Sequence, residues 1–134
     1  MKNILYVEDN AIVTQAYGNV LRREGFNVDV AEDGLAAMKK LAATKPDLVL
    51  LDLIMPKING TDVLKYIRST PMLKSTPVIM LSDGSMADLA QGALAIGVEG
   101  ALLKSRCNPQ ILLETIREVL GEGAPANPAS THAV

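Results

Sequence analysis

Five polar residues stand at the ends of short apolar runs. Glu8 and Asp9 follow residues 4–7, Asp52 follows 48–51, Ser82 follows 78–81 and Lys104 follows 101–103. Gathered at one edge, they would make an unusual site. Two carboxylates about 4 Å apart repel by roughly 4 kcal/mol at an effective dielectric near 20, so three acids in one pocket need a cation or must hold a proton. Hard oxygen donors with few fixed ligands suit Mg²⁺, which keeps several waters and takes one or two carboxylates. A divalent ion makes a further anion welcome. Lys104 adds a compact charge for a phosphoryl oxygen, and Ser82 adds a hydroxyl donor. An aspartate carboxylate can act as a covalent nucleophile, as in aspartyl phosphates. The combination points to a phosphoryl group accepted on Asp52.

Whether the five meet depends on the elements that carry them. The run Leu48-Val49-Leu50-Leu51 reads as a strand buried on both faces, as inside a parallel sheet. Residues 3–7, 78–81 and 101–103 read the same way, and 26–31 alternates as an edge strand does. Between them lie helical patterns. The first carries Ile12, Val13, Ala16, Val20 and Leu21 and stops at Gly25; the second opens at Asp33-Gly34 with Leu35, Met38 and Leu41 on one face. The third carries Val63, Leu64 and Ile67. The fourth begins at a capping-box pair, Ser85 and Asp88, with Met86, Leu89, Ala90 and Ala93 as its stripe. The last starts at Asn108-Pro109, an N-cap and N1 pair, and turns Leu112, Ile116, Val119 and Leu120 inward.

Strands alternating with helices imply a parallel sheet covered on both faces. The common five-strand doubly wound order is 2-1-3-4-5, which makes the first and third strands neighbours. Asp9 and Asp52 then lie side by side, and Ser82 and Lys104 share their edge.

Composition bounds the rest. With 134 residues, 49% hydrophobic, the chain has material for one core. A net charge of −2 with no basic stripe argues against direct binding of nucleic acid. The apolar run near the N-terminus is too short for a signal peptide or membrane span. The lone Cys107 rules out an internal disulfide and fits a reducing compartment, so a cytoplasmic domain is expected. Residues 1–120 form the expected domain; 121–134, rich in Gly, Ala, Pro, Ser and Thr, read as a flexible tail or truncated linker.

The motifs Tyr6-Val7-Glu8-Asp9-Asn10, Leu50 to Gly60 with Asp52 and Met55-Pro56, Met80-Leu81-Ser82 and Leu103-Lys104 fall in order, each at a strand end. In this the chain resembles the response-regulator receiver domains, with the CheY-like, flavodoxin-like (βα)5 fold. The resemblance implies a phosphoacceptor at Asp52, served by a sensor histidine kinase or phosphotransfer protein. It implies Mg²⁺ held by Asp9 and Asp52, by Glu8 through water, and by the main-chain carbonyl of Ile54. It assigns Ser82 as the hydroxyl that moves towards the phosphoryl group and Lys104 as its counter-ion. The domain would signal through its last two helices and last strand to a protein target, or pass the phosphoryl group on. It would be a signalling protein that catalyses only its own phosphorylation and dephosphorylation, not a turnover enzyme.

Three positions depart from that pattern. Ala101 stands where an aromatic residue usually turns inward on activation, and no aromatic follows Tyr66. Asp83 replaces a small residue, either adding charge near the pocket or pointing to solvent. Ser105 replaces a proline after Lys104; since a non-proline cis bond costs ~2.5–4 kcal/mol, a trans peptide is expected here, with Lys104 held less firmly. Ala101 and Ser105 favour an alternative, a receiver-like interaction module that no longer uses phosphorylation, whereas the intact acids and Lys104 argue against it. An aspartate-nucleophile phosphatase is a third reading, but the general acid expected two residues after the nucleophile is Ile54. Ile111, off the inward stripe of the last helix, is expected as an exposed apolar residue on the partner face.

Overall fold

The computed structural model describes residues 2–55, 58–84 and 87–121. Five parallel strands, β1 (Asn3–Val7), β2 (Asn27–Ala31), β3 (Leu48–Asp52), β4 (Val78–Ser82) and β5 (Gly100–Leu103), form one sheet in the order β2-β1-β3-β4-β5. The helices are α1 (Ala11–Arg23), α2 (Gly34–Ala43), α3 (Gly60–Ser69), α4 (Ala87–Ile96) and α5 (Pro109–Leu120), and a 3-10 turn, Lys104–Arg106, follows β5. This is the expected doubly wound fold. β3 and β4 are buried at every residue, whereas the edge strand β2 is buried only at Ala31, as its alternating sequence foretold.

Each face of the sheet has its own apolar layer. Leu5, Val7, Val49, Leu51, Val78 and Met80 face Ala37, Leu41, Val63, Leu64, Ile67 and Ala93 of α2, α3 and α4. Ile4, Tyr6, Leu48, Leu50, Ile79 and Leu81 face Leu21 of α1 and Leu112, Leu113 and Ile116 of α5. The period-2 alternation of a strand divides adjacent residues between these layers, which explains why the central strands read as unbroken apolar runs.

Helix rotation departs from expectation in three places. In α1 the buried stripe is Thr14, Gly18 and Leu21, leaving Ile12 80% exposed. In α2 it is Gly34, Ala37 and Leu41, leaving Leu35 52% exposed. Both helices are oriented by their caps: Asn10 accepts from the amides of Ile12 and Val13, and Asp33 from that of Ala36. A cap fixes where the first turn begins, and Gly34 is buried where an added Cβ would lie 2.7 Å from the Ile58 side chain. Ile111 is the third correction. It is partly buried against the α1–α5 layer, because the inward face of α5 is broad enough to include Leu113 and Thr115. Ser85, Met86 and residues 122–134 lie outside the described residues, as does the side chain of Leu89; Ala93 is buried as expected.

Near the amino ends of β4 and β5, Arg68 gathers the chain. Its guanidinium donates to the carbonyls of Gly97 (3.2 Å), Lys74 (3.0 Å) and Thr76 (2.6 Å) and to Glu99 Oε1 (2.8 Å). The same Glu99 oxygen accepts the Val78 amide at 2.7 Å.

Candidate functional site

Register brings the polar residues to one edge. Val7 pairs with Leu51, so Glu8, the next residue along, stands beside Asp52. Asp52 pairs with Leu81, and Ser82 with Leu103 immediately before Lys104. Lys104 reaches back across β4, and its Nζ donates to Glu8 Oε1 at 3.0 Å and Asp52 Oδ2 at 2.9 Å. Glu8 and Asp52 are buried and Asp9 is exposed. One carboxylate oxygen from each of Glu8, Asp9 and Asp52 lies within 4.8 Å of the others.

Backbone amides hold this cluster in place. The Ile54 amide donates to Asp52 Oδ1 (3.1 Å) and the Asn10 amide to Glu8 Oε2 (3.1 Å). Gly60, at the start of α3, packs against the Asp52–Leu53 backbone so closely that a Cβ there would lie 2.7 Å from Leu53 Cα and overlap the Asp52 carbonyl oxygen. Glycine at this position lets α3 start directly beneath Asp52.

The acids outnumber the cation. Burial, a hydrogen bond with Asp9 and the nearby charge of Asp52 push the Glu8 carboxyl up to about 7, against the smaller opposing pull of Lys104 and the Asn10 amide. Burial alone would lower Lys104, but its hydrogen bonds to Asp52 and Glu8 outweigh this and hold the ammonium above its ordinary range. An octahedral Mg²⁺ spaces its ligand oxygens roughly 3 to 4 Å apart. Three hard oxygens within 4.8 Å, with a deficit of positive charge, fit such an ion.

The remaining site residues are less uniform. Ser82 is buried at the same edge, but its hydroxyl accepts the Gly84 amide at 3.1 Å and makes no described bond to the acids. Gly84 has φ +85, so Ser82, Asp83 and Gly84 form a tight turn with Asp83 exposed. Ala101 is buried in the α2–α4 layer. The peptide after Lys104 is trans, yet Lys104 is fixed by both carboxylates.

A cavity of about 470 Å³ opens over the cluster, bounded by Glu8, Asp9, Asn10, Asp52, Asp83 and Lys104 and walled by Val13, Tyr17, Leu81, Cys107 and Leu112. Sequence reasoning missed this wall; Val13 and Leu112 read only as core. It also missed Tyr17, whose hydroxyl donates to the Cys107 carbonyl at 3.3 Å and ties α1 to the turn after β5. Burial pushes the Cys107 thiol up, which favours its neutral form in that wall. A larger cavity, about 570 Å³, lies at the opposite edge around Asn3, Arg22, Asn27 and Lys45. It lacks any comparable cluster of acids and is a surface groove.

Similarities to known proteins agree with this geometry. A family model, the response regulator receiver domain, matches residues 4–117. The transcriptional regulatory protein CpxR of Escherichia coli (strain K12) is 43% identical over 121 residues, covering 90% of this chain and 50% of its own length. The sensory transduction protein RegX3 of Mycolicibacterium smegmatis is 36% identical over 125 residues, covering 92% of this chain and 53% of its own. The chain therefore spans about half the length of the curated relatives it matches. Chemotaxis response regulator CheY4 of Vibrio cholerae superposes with a TM-score of 0.82 at 31% identity, covering 89% of this chain and 98% of its own. From its first strand into its last helix, this chain belongs to the response-regulator receiver domains of two-component systems.

Proposed function

We propose that this receiver domain accepts a phosphoryl group on Asp52 from a phosphohistidine of a sensor histidine kinase or phosphotransfer protein. The observation that carries the reading is the ammonium of Lys104 bridging Glu8 and Asp52, with Asp9 completing an oxygen cluster. An Asp52 carboxylate oxygen attacks phosphorus in line, forming an acyl phosphate as the bond to the donor imidazole breaks. Lys104 leaves its carboxylate partner to neutralise a phosphoryl oxygen. Ser82 exchanges its bond with Gly84 for one to another phosphoryl oxygen. Asp9 and Asp52, Glu8 through water and the Ile54 carbonyl would hold Mg²⁺, which supplies charge neutralisation for the transferring group.

The domain serves as a cytoplasmic switch rather than a turnover enzyme. It signals to a protein partner through α4, β5 and α5, or passes the phosphoryl group on. No helix among the described residues is long and apolar enough to cross a membrane. Nucleic-acid contact by this domain is not proposed, since its charges are mixed and its net charge is −2.

Intact mass after incubation with Mg²⁺ and acetyl phosphate tests the reading. One added phosphoryl group on the wild type and none on Asp52→Asn is the expected result. Absence of an adduct, with a donor that labels other receivers, would replace it by the phosphorylation-independent interaction module.

A further inference from the structure

Lys104 rises from a sparsely held piece of backbone. It opens a three-residue 3-10 turn, Lys104–Arg106, which buries none of its residues and whose N-cap, Leu103, supplies no side-chain bond. Ser105 and Arg106 are exposed. The turn closes where the Cys107 amide donates to the Lys104 carbonyl at 3.3 Å. The Cys107 carbonyl accepts the Tyr17 hydroxyl, also at 3.3 Å, across 90 residues of chain. Among the described residues, Tyr17 is the one side chain from outside the turn that donates to the backbone of residues 104–107.

Tyr17 stands on the helix that leaves the acids. α1 begins directly after Glu8, Asp9 and the cap Asn10. Asn10, Val13 and Tyr17 are spaced i, i+3 and i+7, which is one helical face, and all three line the cavity over the cluster. The Tyr17 ring packs against the α1–α5 layer, so its hydroxyl is presented from a fixed position. One helix thus joins the acid-bearing end of β1 to the turn that carries Lys104. The link matters most during transfer. At rest two carboxylates hold the Lys104 ammonium. Once it gives up Asp52 for a phosphoryl oxygen, the reach of Nζ depends on where the backbone roots its flexible stem. Transfer slows when a group that stabilises charge is displaced even slightly.

We propose that Tyr17 is a positioning residue for phosphoryl transfer: it holds the Cys107 carbonyl and, through the turn that Cys107 closes, sets the root of Lys104 relative to the acids. This rests on the reading of Asp52 as the acceptor. Tyr17 touches none of the acids by hydrogen bond and acts through Lys104 alone. At 3.3 Å its bond is long for a hydroxyl donor, which keeps the expected effect modest.

The experiment measures initial adduct formation by intact mass, with acetyl phosphate at saturating Mg²⁺, for wild type, Tyr17→Phe, Lys104→Met and the double variant. In each, the Asp52 oxygen–phosphorus bond forms as the bond to acetate breaks. Phenylalanine keeps the ring in its layer and removes only the hydroxyl; urea unfolding verifies that the fold is retained. Tyr17→Phe should slow transfer by about two- to fivefold, the scale of one neutral hydrogen bond. On the Lys104→Met background the same change should alter the rate by less than about 1.5-fold, because the group it positions is gone. An unchanged rate for the single variant, or equal slowing on both backgrounds, overturns the proposal; the latter would make Tyr17 a support of the fold at large. Calorimetric Mg²⁺ affinity should not weaken in Tyr17→Phe, since no acid loses a partner. A loss matching the rate effect would place the fault in the acids and overturn the proposal as well. All of these outcomes leave Asp52 as the acceptor, whereas no adduct on wild type would remove that reading and this proposal together.

Discussion

The two edges of the sheet solve the same problem in opposite ways. Near the amino ends of β4 and β5, one cation and one anion meet: Arg68 pairs with Glu99, and three backbone carbonyls and an amide take up their remaining capacity. At the carboxyl edge one cation, Lys104, is shared between Glu8 and Asp52, with Asp9 close by. The first cluster is internally satisfied and joins α3 to the loops that follow α3 and α4. The second is left acidic, and Glu8 is pushed towards holding a proton. A buried ion pair is therefore weak evidence of function by itself. What distinguishes a site is the charge its own residues leave uncompensated.

Breaking the shared cation should have the largest effect. Lys104→Met should slow phosphoryl transfer to Asp52 by about 10²-fold, the loss typical of removing one group that stabilises transition-state charge. Calorimetry on the same variant should show tighter Mg²⁺ binding, because a competing cation has gone. Weaker binding would mean that Lys104 chiefly holds the acids in place. At the other edge, Arg68→Met should leave adduct formation and Mg²⁺ affinity unchanged. It should destabilise the fold by about 2 to 3 kcal/mol in urea unfolding, since carbonyls and a half-exposed Glu99 lose their donor. A change in transfer rate without a change in stability would erase the contrast between the edges.

The acidic edge should also respond to pH. The folded state holds the Glu8 proton more tightly than the unfolded chain does, with its carboxyl raised from 4.5 to about 7. Its stabilising contribution is thus complete below 4.5 and lost as pH rises through about 7. Under the proposed function Mg²⁺ would bind the ionised carboxylates, so its affinity should rise over the same interval. Thermal melts in EDTA should show stability falling between about pH 5 and about pH 8, and saturating Mg²⁺ should flatten that fall. Glu8→Gln should remove the dependence. The smallest effect belongs to the helix that leaves this edge: Asn10→Ala removes a cap accepting two amides of α1 and should cost about 1 kcal/mol.

These two edges were not equally legible in the sequence. The acidic edge could be read because strand ends are visible as apolar runs that stop, and a parallel sheet places all such ends together. Glu8, Asp52 and Lys104 needed only the strand order to be joined. The Arg68 cluster has no such signal. Its acceptors are mostly backbone carbonyls in loops, and a carbonyl bears no mark of residue type. The rotation of α1 and α2 was misjudged for a related reason. Ile12 and Leu35 are the larger hydrophobes, but Asn10 and Asp33 determine which residues open the first turn, and the small residues Gly18, Gly34 and Ala37 take the buried positions. Counting apolar residues measures how much a helix can bury, whereas its caps decide which side it turns.

Arg68 has a mechanical consequence for α4. By holding the Gly97 carbonyl at 3.2 Å, it fastens the carboxyl end of that helix to α3, at the edge of the sheet away from Asp52. The other end of α4 lies downstream of the turn through Ser82, Asp83 and Gly84. A beam fixed at one end answers a push at the other by pivoting, not by sliding along its length. With this anchor intact, a displacement that begins at Ser82 would reach the surface as a change in the tilt of α4, with Gly97 as its fulcrum.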